Sequence, residues 1–433
     1  MPRTHDSSRS HRSVAALIAA LLAAPLLAAC SEDGAIADGG HGSPATPAAA
    51  TAAPLADAPL AEQRVALLDL AFDSVTRMPV MPHVKDRSRA QEAVVETCLE
   101  LGQPQRAARY IESIANWRRG TAYAALAEYC AEKGAVAEAD RYLALVQQVA
   151  ETPDAEIPDV EGPQSWRRDR VRAGIARTHL RLGRTEAAAP FEEGLGAAER
   201  GEVEAAKAMH SDSELPIEQL GALTAASTFE DAQIWLQAAT ELYGRRYEDA
   251  ESRARIRTAI ETNSAGIPRQ VRIELQLDLA EAAVAHGDRA EADQLLAQAR
   301  TLLDEAQWDA DDRAALVSRL AMLRHRAGDA EGARAEIDGE LARFEQDHGA
   351  LNSLRQARAL RPLADALTVM GAAEEGLAVY RRVVELGADN PNARPRAQEL
   401  SATCCSMARY GAQPEAELWA RMQAIGAGLS DPW

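Results

Sequence analysis

The sequence predicts an all-α protein, built as an array of helical hairpins stacked side by side. Three observations predict it. Of 433 residues, 47% are hydrophobic but only 4% are aromatic. Such a core is made of Ala, Leu, Ile and Val, which suits close-packed helices better than a sandwich or barrel. The phrase "HGDRAEADQLLAQAR" (286–300) returns in variant form, as "KGAVAEADRYLALV" at 133–146 and "AGDAEGARAEI" at 327–337. Its glycine recurs at near-regular steps: 32 residues from 102 to 134, then 43, 41, 43 and 40 over positions 244, 287, 328, 371 and 411. A chain longer than one compact core, with a period of that size, indicates a solenoid of about eight helix pairs.

The first 29 residues read as an address. "MPRTHDSSRSHRS" is a basic, polar start and "VAALIAALLAAPLLAA" (14–29) is an uncharged apolar run. The run is short for a membrane-spanning helix, and the order of the two parts fits a secretory signal. It closes on Leu27-Ala28-Ala29-Cys30, which resembles a bacterial lipobox. The resemblance implies lipid attachment at Cys30, cleavage before it, and anchoring by acyl chains. Ser31, rather than Asp, implies the outer membrane, with the chain facing the periplasm. From Cys30 to about residue 60, Gly, Pro, Ala and Thr without an apolar period predict a flexible tether. Residues 61–78 read as a capping helix, and the array fills 61–433.

Within the unit around Gly287, Ile273, Leu275, Leu277, Leu279, Ala280, Ala283 and Val284 form the apolar part of a first helix. Ala290, Leu295, Leu296 and Ala299 continue at helical spacing in a second. Gly287 falls where the first helix must stop, because Gly enters the left-handed region without a Cβ clash. Asp288 offers an N-cap, with Glu291 at capping-box distance. Ala292, five residues after the Gly, lets the two helices approach closely. The same small residue follows Gly102, Gly134, Gly183, Gly328 and Gly411 as Ala107, Ala139, Ala188, Ala333 and Ala416. Gly371 has Gly376 there, and Gly244 has Asp249 with Ala250 one step late.

This grammar resembles the tetratricopeptide repeat. Leu126-Ala127, Leu279-Ala280, Leu320-Ala321 and Leu363-Ala364 match its large-then-small pair before the Gly. Ile111, Leu143, Leu296, Ile337 and Tyr380 match its large position nine after. The resemblance covers most of 89–425 and implies a right-handed superhelix with a concave groove. Intervals near 41 depart from the family's shorter repeat, and its early Trp and most of its closing prolines are missing. Two stretches interrupt the rhythm. "AETPDAEIPDVEGPQS" (150–165) reads as an exposed loop, and 200–228 marks a possible split of the array.

Patterns that carry chemistry are few. The chain has no phosphate-binding Gly-rich loop, no HExxH and no Gly-x-Ser-x-Gly, so no catalytic, metal or cofactor site is expected. "HSDS" (210–213) places triad residue types in one loop, whereas a triad converges from separate elements. "DADD" (309–312) reads as a cap for a helix starting near Arg313. Cys98 and Cys130 each precede a turn Gly by four and should be equivalent core positions. A net charge of −19 repels phosphate backbones, so nucleic-acid binding is not expected.

What remains is a surface. The groove positions implied by the resemblance are Arg170, Arg177, Arg181, His325, Arg326, Arg358, Arg361 and Arg409 in the later units. Glu92, Glu96, Glu100, Glu128 and Glu132 take those places in the earlier ones, so the groove should run from acidic to basic. Arg170, Arg177, Arg181, Arg326, Arg358 and Arg361 are the candidate partner-binding residues, since Arg forks suit carboxylates on a partner peptide. The expected function is a non-enzymatic, membrane-anchored scaffold binding a protein or peptide partner. Two alternatives stay open: a periplasmic sensor sequestering one client, and a glycan-processing protein with a catalytic part within 200–270.

Overall fold

The computed structural model describes residues 55–151, 165–211, 214–223 and 227–433. The signal segment, Cys30, most of the expected tether and nearly all of the 150–165 loop lie outside the described residues. Among the described residues every regular element is helical.

The chain enters through α1 (Glu62–Thr76) and then alternates between two layers. The inner layer holds α2 (Val80–Glu100), α4 (Arg118–Glu132), α6 (Ser165–Arg181), α8 (Ala197–His210) and α10 (Phe229–Arg245). It continues with α12 (Arg269–Ala285), α14 (Ala310–Arg326), α16 (Ser353–Val369) and α18 (Ala393–Tyr410). Their outer partners are α3 (Pro104–Ile111), α5 (Val136–Glu151), α7 (Thr185–Glu192), α9 (Leu215–Ala222) and α11 (Ala250–Ser264). The last four are α13 (Arg289–Asp304), α15 (Ala330–Asp347), α17 (Ala373–Ala388) and α19 (Ala416–Ala427). That makes nine pairs, one more than the glycine count suggests, because α8 and α9 form a pair within 200–228 that has no turn Gly of the usual kind. The inner layer runs through this stretch, with α8 packed between α6 and α10.

The turns form as their residues dictate. Gly102, Gly134, Gly183, Gly287, Gly328, Gly371 and Gly411 all adopt positive φ, between 68° and 92°. The residue after the Gly donates its N–H five residues back: Asp288 to the Ala283 carbonyl at 2.9 Å, Asp329 to Arg324 at 3.0 Å, Ala372 to Leu367 at 2.9 Å. This closes the orphan carbonyls of the first helix. Asp288 caps the next helix by accepting from the Glu291 N–H at 3.1 Å. The small residue five after the Gly is a packing requirement. A Cβ added at Gly376 would lie 2.8 Å from Thr368 Oγ1 and 3.2 Å from the Ala364 carbonyl on the facing helix. Ala107, Ala139, Ala188, Ala292 and Ala333 are fully buried there.

Three local expectations need correction. Gly244 lies inside α10, and the turn comes after it, with Asp249 capping α11 through the Glu251 and Ser252 N–H groups. "DADD" does not precede its helix: α14 starts at Ala310, and the Asp309 side chain caps nothing but accepts from Arg355 at 3.0 Å. Ala416 is exposed at the start of α19, because the turn after Gly411 is longer than the others.

The two ends of the solenoid meet. α18 packs on α2, which closes the inner layer into a ring, and α1 packs along α18 as an outer helix. The two helices are antiparallel. Arg64 near the start of α1 donates to the Ala408 carbonyl at 2.7 Å, while Val75 and Met78 at its far end cluster with Ala393, Ala397 and Leu429. The helix expected to cap the array therefore joins its ends. Residues 55–60, expected as tether, are docked: Leu55 N–H donates to Glu138 at 2.6 Å and Ala58 N–H to the Gly102 carbonyl at 2.7 Å.

Candidate functional site

The inner helices expose one polar stripe each to the hollow of the ring. In α12 it is Gln270, Glu274 and Asp278, with buried Glu281 continuing the same face at steps of four, four and three.

Those side chains pair across the joints between neighbouring helices. Glu92 of α2 accepts from Arg118 and Thr121 of α4. Arg181 of α6 reaches back to Glu128 at 3.1 Å and Glu132 at 2.9 Å on α4. Arg177 and Arg170 reach forward to α8, Arg177 onto Glu202 and Arg170 to 3.9 Å from Glu199. Arg319 and Arg326 of α14 hold Asp278 and Glu281 of α12, with Arg326 at 2.9 Å from Glu281. Arg358 and Arg361 of α16 share Glu399 of α18, Arg358 at 3.7 Å. At the closure, Arg409 of α18 sits 2.6 Å from Glu100 of α2.

All six arginines singled out from the sequence therefore lie on inner helices, and each is paired within the chain. The expected drift from acidic to basic is replaced by interleaving: the carboxylates of one helix stand against the arginines of the next. The sequence reading missed the carboxylate halves, namely Glu199, Glu202, Asp278, Glu281 and Glu399, and missed Arg319. Helical spacing alone puts them on the correct stripe. Which stripe faces which depends on stacking order and on the tilt of neighbouring helices.

Burial shapes the charges on this wall. It raises the pKa of Glu132, while Arg181 pulls it back. It raises Asp278 in the same way, opposed by Arg319. Burial works against the charge of Arg177, but Glu202 and Glu128 outweigh it and its pKa is raised. Behind the wall, Asp365 is buried and held by Tyr380 of α17 and Ser406 of α18. Burial raises its pKa despite those two hydroxyl donors.

The remaining sequence candidates are structural. Cys98 and Cys130 are both buried and unpaired, and their carbonyls accept the turn bonds from Gln103 and Ala135 at 2.8 Å. Burial pushes the Cys130 thiol up to about 12. Within 200–270, Glu214 gathers Arg246 at 3.1 Å and Arg255 at 2.7 Å on the outer side. Among the described residues no cluster of His, Cys, Asp and Glu could hold a metal ion. No described helix is long and apolar enough to cross a membrane. No protein-family model matches the chain, and comparison with curated proteins finds no match.

Proposed function

We propose that the chain is a non-enzymatic scaffold of the cell envelope, a divergent relative of the tetratricopeptide repeats that holds a partner polypeptide against the inner wall of its ring. One observation carries it: arginine–carboxylate pairs bridge most of the joints between inner helices, with several carboxylates buried and their arginines partly open to water. Arg181 and Arg326 keep 29% and 41% of their side-chain surface. At Arg181, whose partners Glu128 and Glu132 also keep 23% and 25% of their surface, an internal carboxylate can be exchanged for one on a ligand, because pairs exposed on both sides are individually weak. Stacked hairpins make the wall rigid while leaving its side chains free to vary. The Leu-Ala-Ala-Cys sequence ending at Cys30 supports a lipid anchor in the outer membrane, with the ring in the periplasm.

The test is site-directed photocrosslinking in the native envelope, with the crosslinker on the wall at Glu274 or on the outer surface at Glu261. Wall positions should yield a discrete adduct that disappears when Arg181→Gln and Arg326→Gln are combined, with helical circular dichroism unchanged. Adducts from the outer position only, or a wall adduct indifferent to the substitutions, would overturn the proposal. A single one-to-one adduct would favour the sensor form of the same binding, and several adducts a scaffold.

A further inference from the structure

The two openings of the ring differ in charge. The turn opening, where the inner helices end, mixes both signs. At the other opening, the first nine residues of α16, α18, α2, α4 and α6 hold thirteen Arg or Lys and three Asp or Glu, a net of +10. These five helices are consecutive around the ring, with α18 against α2 at the closure. The first nine residues of α8, α10, α12 and α14 hold four basic and eight acidic residues, a net of −4. Thirteen of the chain's 47 basic residues thus fall on one arc of one opening, where Arg118, Arg170, Arg355, Arg361 and Arg394 are paired with carboxylates. The arc exists only because the ring closes, since α16 and α18 are remote in sequence from α2, α4 and α6.

The arc is accessible and has an apolar anchor. Lys85 and Arg168 are exposed, and Arg170, Arg358 and Arg394 keep 45%, 47% and 43% of their side-chain surface. Trp166 at the start of α6 is 44% exposed and meets buried Trp117 edge-on, with ring centroids 5.2 Å apart. Arg118 lies over the Trp117 ring at 4.7 Å. A half-exposed aromatic among arginines is the composition of a binding hot spot for a negatively charged chain.

Taking the ring wall as the binding surface proposed above, we infer that this opening is the entrance, and that its basic arc with Trp166 receives an acidic, extended polypeptide segment. Two features favour a polypeptide over an anionic bilayer. The acidic arc of the same opening would be pressed against lipid headgroups, whereas a narrow chain can lie along the basic arc alone. The N-terminal segment joins the ring at the opposite, turn side, where Leu55 and Ala58 bond to the α4–α5 and α2–α3 hairpins. A membrane anchor on that segment would leave the basic opening facing away from its own bilayer.

Fluorescence anisotropy of the mature, non-acylated chain with a labelled Glu-rich peptide carrying spaced Leu residues tests this. Binding should weaken steeply with salt. Combining Lys85→Glu, Arg168→Glu and Arg394→Glu should weaken it about tenfold or more. Trp166→Ala should weaken it by about fivefold or more, at unchanged salt dependence. Arg289→Glu, on the outer surface beside the turn opening, should leave it unaltered. Equal affinity for inorganic polyphosphate would show a site for any polyanion, and equal capture by phosphatidylglycerol vesicles a membrane surface; either overturns the inference. Wall crosslinks that persist while the peptide fails to bind would sink the entrance and leave the scaffold proposal standing. Loss of the wall crosslinks would sink the scaffold itself.

Discussion

If α1 closes the ring, emptying its contact with α18 should loosen the closure more than any other joint. Val75 and Met78 are fully buried and pack on Ala393, Ala397 and Leu429. Val75→Ala removes two methyl groups and Met78→Ala three heavy atoms beyond Cβ. Core truncations of this kind cost about 2 and about 3 kcal/mol, and as neighbours they need not add fully. A combined loss of about 4 kcal/mol raises the opening constant of the closure by roughly a thousandfold. In an open array an end helix frays, because it has a neighbour on one side only. In a closed ring α18 has α16 on one side and α1 with α2 on the other. The assay is native-state hydrogen exchange at the amides of Ala397–Ala408, compared with those of α12. In the wild type both helices should be protected to a similar degree. In the double variant α18 should exchange roughly a thousandfold faster than α12. Leu320→Ala in α14 should instead lower global stability without singling out α18. The ring is refuted if α18 already exchanges like a frayed end in the wild type, or if the double variant lowers α12 and α18 together.

Other expectations concern single residues. Asp365 is protonated more readily in the folded chain than in the unfolded one, so it favours folding at low pH, and that contribution fades as pH rises through its raised pKa. The urea midpoint of wild type relative to D365N should therefore rise as pH falls; a pH-independent difference would show that Asp365 does not titrate this way. Gly328→Ala forces a Cβ into φ +92° and should cost about 1 kcal/mol in urea unfolding, with nothing lost if that turn residue relaxes. Asp288→Ala removes the cap of α13 and the partner of the buried Tyr247 hydroxyl at 3.0 Å, a loss of about 2 kcal/mol that Asp288→Asn should largely restore.

The sequence by itself determined the unit. Glycine at the turn, a cap residue after it and a small residue five positions on are local requirements, and each is written in residues within one hairpin. Leu279-Ala280 and Leu296 could be assigned to the core of their hairpin without knowing what lay beyond it. Where the local text thinned, as at Gly244 and across α8 and α9, the unit boundary was misplaced, because a helix can end on a capped loop without a left-handed glycine. The ring was decided only in three dimensions. Closure depends on small rotations accumulated over nine pairs, and on whether α1 meets α18 after more than three hundred residues. No single hairpin encodes that sum. The charge pairs share the same dependence: spacing puts Arg181 and Glu128 each on a polar stripe, but their meeting is a property of the joint between two stacked helices.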